Sequence, residues 1–221
     1  MDQSEIYRDK SPSPKSKGTL AALHFLIVVV ALLILFGGQH QESSALRRLL
    51  LAMAASLYFL RVLATIVVFI KRKVGWSEVA MIAVWVGLID ILIAYFGAMS
   101  DVRVGIWTLV GGVMVLMGSA INTGSEWQRM VWKRRPENKG HLYTGGMWRL
   151  SRHVNYFGDI VLFTGWVLMS GQPALLIIPA LMFGSFAFAN VPAQDKYLAD
   201  RYGDEYRSYA KRTARLIPFV Y

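Results

Sequence analysis

The sequence predicts an all-α protein, a polytopic membrane helix bundle of about six transmembrane helices. Three observations predict this class. Apolar runs of roughly 20 residues, the length that a helix needs to cross a bilayer core, recur along the 221-residue chain. Hydrophobic residues make up 55% of the composition. Lysine and arginine give the chain a net charge of +10, and they are concentrated in alternate connections between the apolar runs.

The expected spans follow one another along most of the chain. The first contains LAALHFLIVVVALLILFGG, an uncharged run longer than the apolar segments of soluble domains and of cleaved signal peptides. The fifth is short, and we expect the polar residues before it to lengthen it at its start. The expected spans are residues 18–37, 46–70, 79–99, 104–121, 156–170 and 173–191.

The distribution of basic residues predicts the orientation of the spans. Basic residues occur in 1–17, after the second span, in 124–155 and after the sixth span, whereas the other connections, GGQHQESS, SDVR and SGQP, hold one between them. Because cytosolic connections carry the excess of lysine and arginine, both termini are expected in the cytosol. Residues 1–17 are expected to be a disordered tail, and the chain is expected to end in an amphipathic tail. The membrane would be the endoplasmic reticulum in a eukaryote and the cytoplasmic membrane in a bacterium.

The positive charge of the cytosolic face has two interpretations. Orientation and attraction to anionic lipid headgroups explain part of it, and a bound anionic ligand would explain the remainder. No recognisable nucleic-acid module lies among the basic segments, so nucleic acid is not expected as a partner. The expected partners are the lipid bilayer and a small apolar lipid substrate that enters sideways from the membrane. The sequence indicates no protein partner.

Composition divides the chain into two halves. Residues 18–117 are largely continuous hydrophobe, whereas residues 118–221 alternate polar, basic and aromatic groups around two further spans. We therefore expect the cofactor-binding chemistry in residues 118–221. The chain has no cysteine, no HExxH helix, no phosphate-cradling loop and no Gly-rich dinucleotide fingerprint. No metal site is expected, and any nucleotide must be held by side chains on helices.

Two polar clusters lie between the fourth and fifth spans, one directly after the fourth and one at the start of the fifth. Asn122, Glu126 and Arg129 are spaced to share one face of a helix that leaves the bilayer. An alternative interpretation is a solvated helix end with an intrahelical ion pair. In SRHVNYFGD, Asn155 and Asp159 are four residues apart. Polar side chains inside a bundle usually mark a hydrated cavity or a bound ligand, although a helix cap would explain one of them.

The last cluster is a series of tyrosines. They recur at intervals of five, four and three residues, which is roughly one helical stripe. An amphipathic helix in the headgroup layer, with an aromatic belt, is one interpretation, and stacking on a nucleotide base is another. The residues concerned are Tyr197, Tyr202, Tyr206 and Tyr209.

Three stretches, NTGSEWQRMVWKRRPENKG, GGMWRLSRHVNYFGDIV and YLADRYGDEYRSYAKRTARLIPFVY, resemble in order and spacing the C-terminal domain of the steroid 5α-reductase family and its multi-span relatives. The likeness covers about residues 118–221. The RHxNYxG element is also similar to one found in isoprenylcysteine carboxyl methyltransferases and phospholipid methyltransferases. Both branches imply an adenosine cofactor between the cytosolic ends of these helices.

In the reductase branch the resemblance implies NADPH, with Asn155 and Asp159 at its nicotinamide end and basic side chains at its phosphates. The segment LYFLRVL resembles the one that carries the proton-donating tyrosine of the family, which falls on Tyr58. The expected cofactor-binding residues are Asn122, Glu126, Arg129, Lys133, Arg149, Arg152, His153, Asn155, Tyr156, Asp159, Tyr197 and Arg212.

The sequence departs from the family pattern at three positions. Val154 stands where a proline is usual, and Asp159 stands where a glutamate is usual. The first span carries His24 but no glutamate that would position a steroid. The resemblance therefore implies a reductase of a lipid without implying a steroid substrate.

Charge favours NADPH over S-adenosylmethionine as the cofactor. Residues 124–155 hold seven lysines and arginines against two acids, and arginine suits phosphate better than a sulfonium cation. The first hypothesis is therefore an NADPH-dependent membrane reductase of a C=C bond in a lipid or sterol-like enone. An S-adenosylmethionine-dependent membrane methyltransferase is the alternative, because aromatic and acidic groups of the tail suit a cation. A non-catalytic membrane protein is the third hypothesis.

Two residues are candidate catalysts. Tyr58 is the first candidate proton donor. Asp90, in the middle of the third span, is an ionisable group at bilayer depth, where an unpaired charge is costly, and we expect it to pair with Arg61. A purely structural pair is an equally open interpretation. His24 is expected to make an interhelical hydrogen bond.

Overall fold

The computed structural model describes residues 11–38 and 43–220. Within these ranges the chain forms eight α-helices and no β-strand. A π-helical segment, Thr65–Phe69, continues the helix Ala45–Ala64. A second, Phe186–Asn190, joins the helices Ile177–Ser185 and Val191–Tyr202. The helices are α1 (Pro14–Gly37), α2 (Ala45–Ala64), α3 (Trp76–Ala98), α4 (Ile106–Lys133), α5 (Val154–Ser170), α6 (Ile177–Ser185), α7 (Val191–Tyr202) and α8 (Asp204–Arg212).

The predicted membrane helix bundle is confirmed. Five helical segments are long and apolar enough to cross a membrane, and α5 is a shorter apolar helix of 17 residues. Large apolar side chains, among them Val84 with 72% of its surface exposed, cover the outside of the bundle. A helix that is apolar on all sides is typical of a membrane span. The five segments are Pro14–Gly37, Ala45–Phe69, Trp76–Ala98, Ile106–Lys133 and Pro173–Tyr202.

Two spans extend further than the apolar pattern predicts. α4 continues from the expected end at residue 121 to Lys133, and the last span continues through α7 to Tyr202. No helix breaker occurs before Pro136 in the first case, and both extensions are polar. Hydropathy marks where a helix leaves the apolar layer, but the helix itself ends at a breaker. The expected division between residues 117 and 118 falls inside α4.

α1 begins at Pro14, inside the segment expected to be disordered, so that prediction is wrong for residues 14–17. Proline suits the first turn of a helix. The Ser16 hydroxyl donates to the Val74 carbonyl at 2.7 Å, and the Lys17 ammonium donates to the Ile70 carbonyl at 2.8 Å. These bonds attach the first turn of α1 to the connection between α2 and α3. Residues 1–10 of the expected tail lie outside the described residues.

Helices α4 and α5 pack backbone against backbone. A Cβ atom at Gly111 would lie 2.4 Å from the carbonyl oxygen of Gly165, and one at Gly118 would lie 2.5 Å from that of Gly158. Small residues at matching positions let two membrane helices approach closely. The contact holds the start of α5, with Asn155, against the polar second half of α4.

A buried arginine closes one end of the bundle, which we call the Arg47 end. Arg47 is 1% exposed, and its guanidinium donates to the Ser100 hydroxyl and, at 2.9 Å, to the Ser170 carbonyl. Ser170 ends α5, so the side chain satisfies a carbonyl that the helix leaves without a partner. Gly171 follows with a φ of 74°, and a side chain there would collide with Arg47.

The tyrosine stripe predicted for the C-terminal region is interrupted. Gly203, with a φ of 54°, separates α7 from α8, so Tyr197 and Tyr206 belong to different helices. α8 exposes its charged residues, as expected for an amphipathic tail. It buries Tyr206 and Tyr209, at 4% and 2% exposure, inside the protein. The aromatic belt in the headgroup layer is therefore wrong for these two residues.

Candidate functional site

A cavity of about 860 Å³ lies at the end of the bundle opposite Arg47, which we call the basic end. Its walls come from the end of α2, the start of α3, the end of α4, the start of α5, and from α7 and α8. The volume is in the range of small-molecule and cofactor sites. A smaller cavity of about 350 Å³ adjoins it and shares Phe69, Lys71, Arg129 and Lys133 as lining residues.

The lining is strongly basic. Five basic side chains face the cavity against one carboxylate, that of Glu78, among the residues that the structure describes. Arg72 makes a two-bond ion pair with Glu78. Lys133 donates to the Tyr202 hydroxyl at 3.0 Å. An anion is therefore the ligand that the lining favours electrostatically. The basic residues are Lys71, Arg72, Arg129, Lys133 and Arg152.

The structure brings half of the expected cofactor residues together on the cavity wall. They come from three regions far apart in sequence, which meet because α4 and α5 pack closely and α7 lies beside the start of α5. The expected residues that line the cavity are Arg129, Lys133, Arg152, Asn155, Tyr156 and Tyr197.

Asn122 and Glu126 stand behind this wall and hold Asn155. The Asn122 amide donates to the Asn155 carbonyl at 3.0 Å, and the Asn155 amide donates to the Glu126 carboxylate at 3.1 Å. Glu126 also forms an ion pair with Arg129, which is the intrahelical pair of the alternative interpretation. Because a carboxylate only accepts, the amide group of Asn155 must face Glu126. Its side-chain oxygen is buried and has no partner within the described part of the chain.

His153 belongs to a buried network centred on Asp195. The Nε2 atom of His153 lies 2.7 Å from the Asp195 carboxylate, and its Nδ1 atom lies 3.0 Å from the Gln194 side-chain oxygen. Arg152 donates to the same carboxylate at 3.1 Å, and Tyr206 donates a further hydrogen bond to it. Burial, and then this hydrogen bond, raise the pKa of Tyr206, so the phenol remains a donor at neutral pH.

The network fastens the C-terminal segment to the start of α5. Arg215 reaches Asp195 at 3.3 Å, and the Ser151 hydroxyl donates to the Leu216 carbonyl at 2.8 Å. The Tyr209 hydroxyl donates to the Trp148 carbonyl, and both of these residues line the cavity. We call α8 and the residues after it the C-terminal wall; Tyr209 is its cavity-lining residue, and Asp195 holds it against the start of α5.

Three further expected cofactor residues lie off the cavity wall, in addition to Asn122, Glu126 and His153. Arg149 and Arg212 are exposed and do not line the cavity. Asp159 is one helical turn deeper than Asn155, and its carboxylate lies 2.9 Å from the guanidinium of Arg61.

The expected pair of Asp90 with Arg61 is wrong, because each residue has another partner. Arg61 pairs with Asp159, and Asp90 lies 3.6 Å from the Nε2 atom of His24. Asp90 is on α3 and faces α1, which packs along α3, whereas Arg61 is on the side of α2 that faces α5. The His24 ring nitrogens make no hydrogen bond within the described residues, so the expected interhelical bond is replaced by this longer contact.

Tyr58 stands between these two pairs and outside the cavity lining. The centroids of the Tyr58 and His24 rings are 5.2 Å apart, and the Cζ atom of Arg61 lies 4.9 Å from the centroid of the Tyr58 ring. Phe163 and Trp166 pack against its other side. A row of ionisable groups thus leads from Asp159, one turn below the cavity wall, to Asp90. The catalytic roles of Tyr58 and Asp90 stay predictions.

Sequence reasoning did not identify several residues that shape the site. The basic residues that follow α2 indicated orientation alone, although Lys71 and Arg72 line the cavity. Asp195 and Gln194 are adjacent polar residues at the end of the last apolar run, which is a usable signal, but their partner His153 is about 40 residues away in sequence. Only folding reveals that Asp195 is the centre of a network.

Known proteins of two kinds are similar to this chain. It is 27% identical over 116 residues to protein-S-isoprenylcysteine O-methyltransferase B of Arabidopsis thaliana, covering 52% of this chain and 58% of the relative. It is 28% identical over 155 residues to the Delta(14)-sterol reductase of Schizosaccharomyces pombe, covering 62% of this chain and 36% of the relative. The Delta(14)-sterol reductase of Methylotuvimicrobium alcaliphilum is 26% identical over 168 residues, covering 68% of this chain and 39% of the relative.

The resemblance to reductases and to isoprenylcysteine methyltransferases is thus confirmed. The chain spans between 36% and 58% of the length of these relatives. Residues 76–213, which include all the segments that form the cavity except the end of α2, match the family described as protein of unknown function DUF1295. Because this match covers more than half of the chain, the protein belongs to the DUF1295 family.

Proposed function

We propose that the protein is an integral-membrane reductase that binds NADPH at the basic end and reduces a C=C bond of a lipid, of the kind conjugated to a carbonyl. The observation that carries this proposal is the combination of a basic cavity with the unpartnered side-chain oxygen of Asn155. An anionic ligand that also offers an N–H donor would satisfy both features. NADPH has phosphates and a carboxamide.

The residues present fit such a cofactor. Arg129, Lys133 and Arg152 would neutralise phosphate oxygens, because arginine and lysine bind phosphate through charge-assisted hydrogen bonds. The buried oxygen of Asn155 would accept a hydrogen bond from the carboxamide, and leaving it unpaired costs about 1 to 3 kcal/mol. Tyr197 offers a flat surface for one of the rings.

When bound, NADPH supplies a hydride, and one proton completes the addition of two hydrogens to the double bond. Tyr58 is the proposed source of that proton. The row of Asp159, Arg61 and Tyr58 connects the phenol with the turn below Asn155. The Arg61 guanidinium over the ring would stabilise negative charge on the phenol oxygen after the proton has left.

S-adenosylmethionine-dependent methyl transfer is the second candidate function. Seven aromatic residues line the cavity, and aromatic faces attract a sulfonium cation. The similarity to the Arabidopsis methyltransferase supports the same candidate. Five basic residues against one acid in the lining argue against it, because they would repel the cation. The aromatic residues are Phe69, Tyr143, Trp148, Tyr156, Tyr197, Tyr202 and Tyr209.

Thermal unfolding of the purified protein in lipid nanodiscs tests the two candidates. NADPH should raise the melting temperature more than NADH does, and S-adenosylmethionine should have little effect. The reverse ranking would support methyl transfer, and no stabilisation by any of the three would support a non-catalytic protein.

The variant Asn155→Ala tests the position of the cofactor. It should lose most of the NADPH-dependent stabilisation while remaining folded without ligand, with a melting temperature lowered by the loss of the hydrogen bond to Glu126. Gln172→Ala, near the Arg47 end, is the control and should keep the full stabilisation. An unchanged NADPH effect in Asn155→Ala would refute the assignment of Asn155.

A further inference from the structure

Two walls of the cavity belong to helices that do not pack together. The start of α3 contributes Ser77, Glu78, Met81 and Ile82, which share one helix face. α3 packs against α1, α2 and α5, whereas α7 packs against α8 and the π-helical segment before it. On the other wall, α7 and that segment contribute Asn190, Gln194, Tyr197 and Leu198, which also share a face.

The α3 wall ends at the outer surface of the bundle. Met81 lines the cavity and has 66% of its surface exposed. Val84, less than one turn further along α3, is on the outer apolar face, at 72% exposure. The cavity-lining face of α3 is therefore continuous with a face that contacts lipid.

Most of the free positive charge of the lining lies away from its apolar part, because Arg72 is paired with Glu78 and Lys71 shares the smaller cavity with α4. Met81 and Ile82 on α3 and Leu198 on α7 are apolar. Arg129 and Lys133 are on α4, and Arg152 is two residues before the start of α5. An anionic ligand is attracted to the α4 side, which leaves the space between α3 and α7 for an apolar one.

Two π-helical segments border this space. Phe69 ends the first and Asn190 ends the second, and both residues line the cavity. Phe186, in the second segment, stacks on Tyr156 with 4.6 Å between the ring centroids. Tyr156 also stacks on His153, with 5.7 Å between the ring centroids. The Tyr156 ring is thus held between two other rings, and it lines the cavity with its edge. π-helical turns inside α-helices occur frequently at functional sites.

We propose that the cavity opens to the bilayer between α3 and α7, and that an amphipathic lipid of the basic-end leaflet enters through this opening. Its chain lies between Met81 and Leu198, and its polar end reaches Tyr156 and Asn155. This assignment deepens the proposed function, since it makes the lipid the second ligand beside the anionic cofactor. The opening lies within the first two turns of α3, so the lipid enters near the headgroup layer, about 9 Å or less along the helix from its start.

Photo-crosslinking in nanodiscs tests the opening. The probe is a long-chain enone that carries a diazirine near its polar end, and peptide mass spectrometry gives the sites of labelling. Tyr156, inside the cavity, should be labelled, and Leu33 on the lipid-exposed face of α1 serves as the reference. Met81→Trp should lower labelling of Tyr156 relative to Leu33 at least about fivefold, because a larger side chain obstructs the opening.

Val84→Trp is the matched control, since it places the same side chain on the outer face of the same helix. It should leave the labelling of Tyr156 unchanged. Absence of label at Tyr156, or equal labelling of Tyr156 in Met81→Trp and the wild type, would overturn the proposal. The NADPH-dependent melting shift is measured on the same samples. Labelling that follows this pattern without an NADPH shift would reject the NADPH reductase and retain the opening.

Discussion

The Arg47 end and the basic end of the bundle both hold arginine side chains in polar contacts, but they use them differently. At the Arg47 end, the guanidinium donates to a hydroxyl and to the last carbonyl of a helix, and it lines neither of the two cavities of the basic end. At the basic end, Arg129 and Arg152 pair with carboxylates and still face a large cavity. An arginine enclosed by protein acceptors serves the fold, whereas arginines that face a cavity remain available to a ligand.

The cost of burying charge explains this difference. A guanidinium removed from water is tolerated only where its donors are satisfied. Arg47 meets this condition at its two terminal nitrogens, which donate to neutral acceptors in a closed site, whereas its Nε atom has no partner among the described residues. At the basic end, Glu126 and Asp195 fix the directions of the arginine side chains, and the cavity leaves their other faces accessible. We therefore expect substitution of Arg47 to lower the stability of the protein, and substitution of the arginines that face the cavity to lower ligand affinity.

The largest expected effect is that of Arg47→Ala. Removing the side chain leaves buried acceptors of α5 and Ser100 without a donor, so the free energy of unfolding should fall by about 3 kcal/mol. Titration with sodium dodecyl sulfate, followed by tryptophan fluorescence, measures it. Arg48→Ala, at the neighbouring half-buried residue, should cost much less. If Arg47→Ala also abolished stabilisation by NADPH, the two ends would not be independent.

The next effect concerns the glycine contact that links the two ends. Gly111→Ala places a methyl group 2.4 Å from a carbonyl oxygen of α5, so the helices must move apart, at a cost of about 2 kcal/mol. Gly112→Ala is the matched control, because a Cβ atom there has no neighbour within 4 Å. The same titration compares them. Equal stabilities would mean that α4 and α5 do not pack as closely as described.

Asp195→Asn should affect both stability and binding. The neutral amide is a weaker partner for His153 and Arg152, so the free energy of unfolding should fall by about 1.5 kcal/mol. The C-terminal wall of the cavity should loosen, and the NADPH-dependent melting shift should shrink. Asp200→Asn, on the exposed side of the same helix, should change neither quantity. A variant with a normal NADPH shift would remove Asp195 from the site.

The smallest expected effect on stability, and the most selective one on binding, is that of Arg129→Gln. Loss of one charge-assisted hydrogen bond to phosphate should weaken NADPH binding about tenfold, or about 1.4 kcal/mol. Arg149→Gln should leave affinity unchanged, because Arg149 is exposed and lies off the cavity wall. Titration calorimetry in nanodiscs measures both. Equal losses would show that general positive charge, and not the cavity, attracts the cofactor.

The bundle was predictable from local features of the sequence, whereas about half of the site was not. Apolar runs predicted the spans, and the spacing of Glu126 and Arg129 predicted their ion pair. The pair of Asp90 with Arg61 failed, because sequence shows that both are buried ionisable groups without showing which helix each one faces. The positions of Arg149 and Arg212 outside the cavity were hidden for the same reason.

The sequence by itself determined that this chain lies in a membrane with its positive charge at one end, since hydropathy and charge act residue by residue against the surrounding solvent. Only the tertiary structure decided which of those charges face a cavity, that Asp195 holds the C-terminal wall, and that α3 and α7 stand apart. These features depend on contacts between helices distant in sequence, and the directions of side chains across such contacts follow from packing.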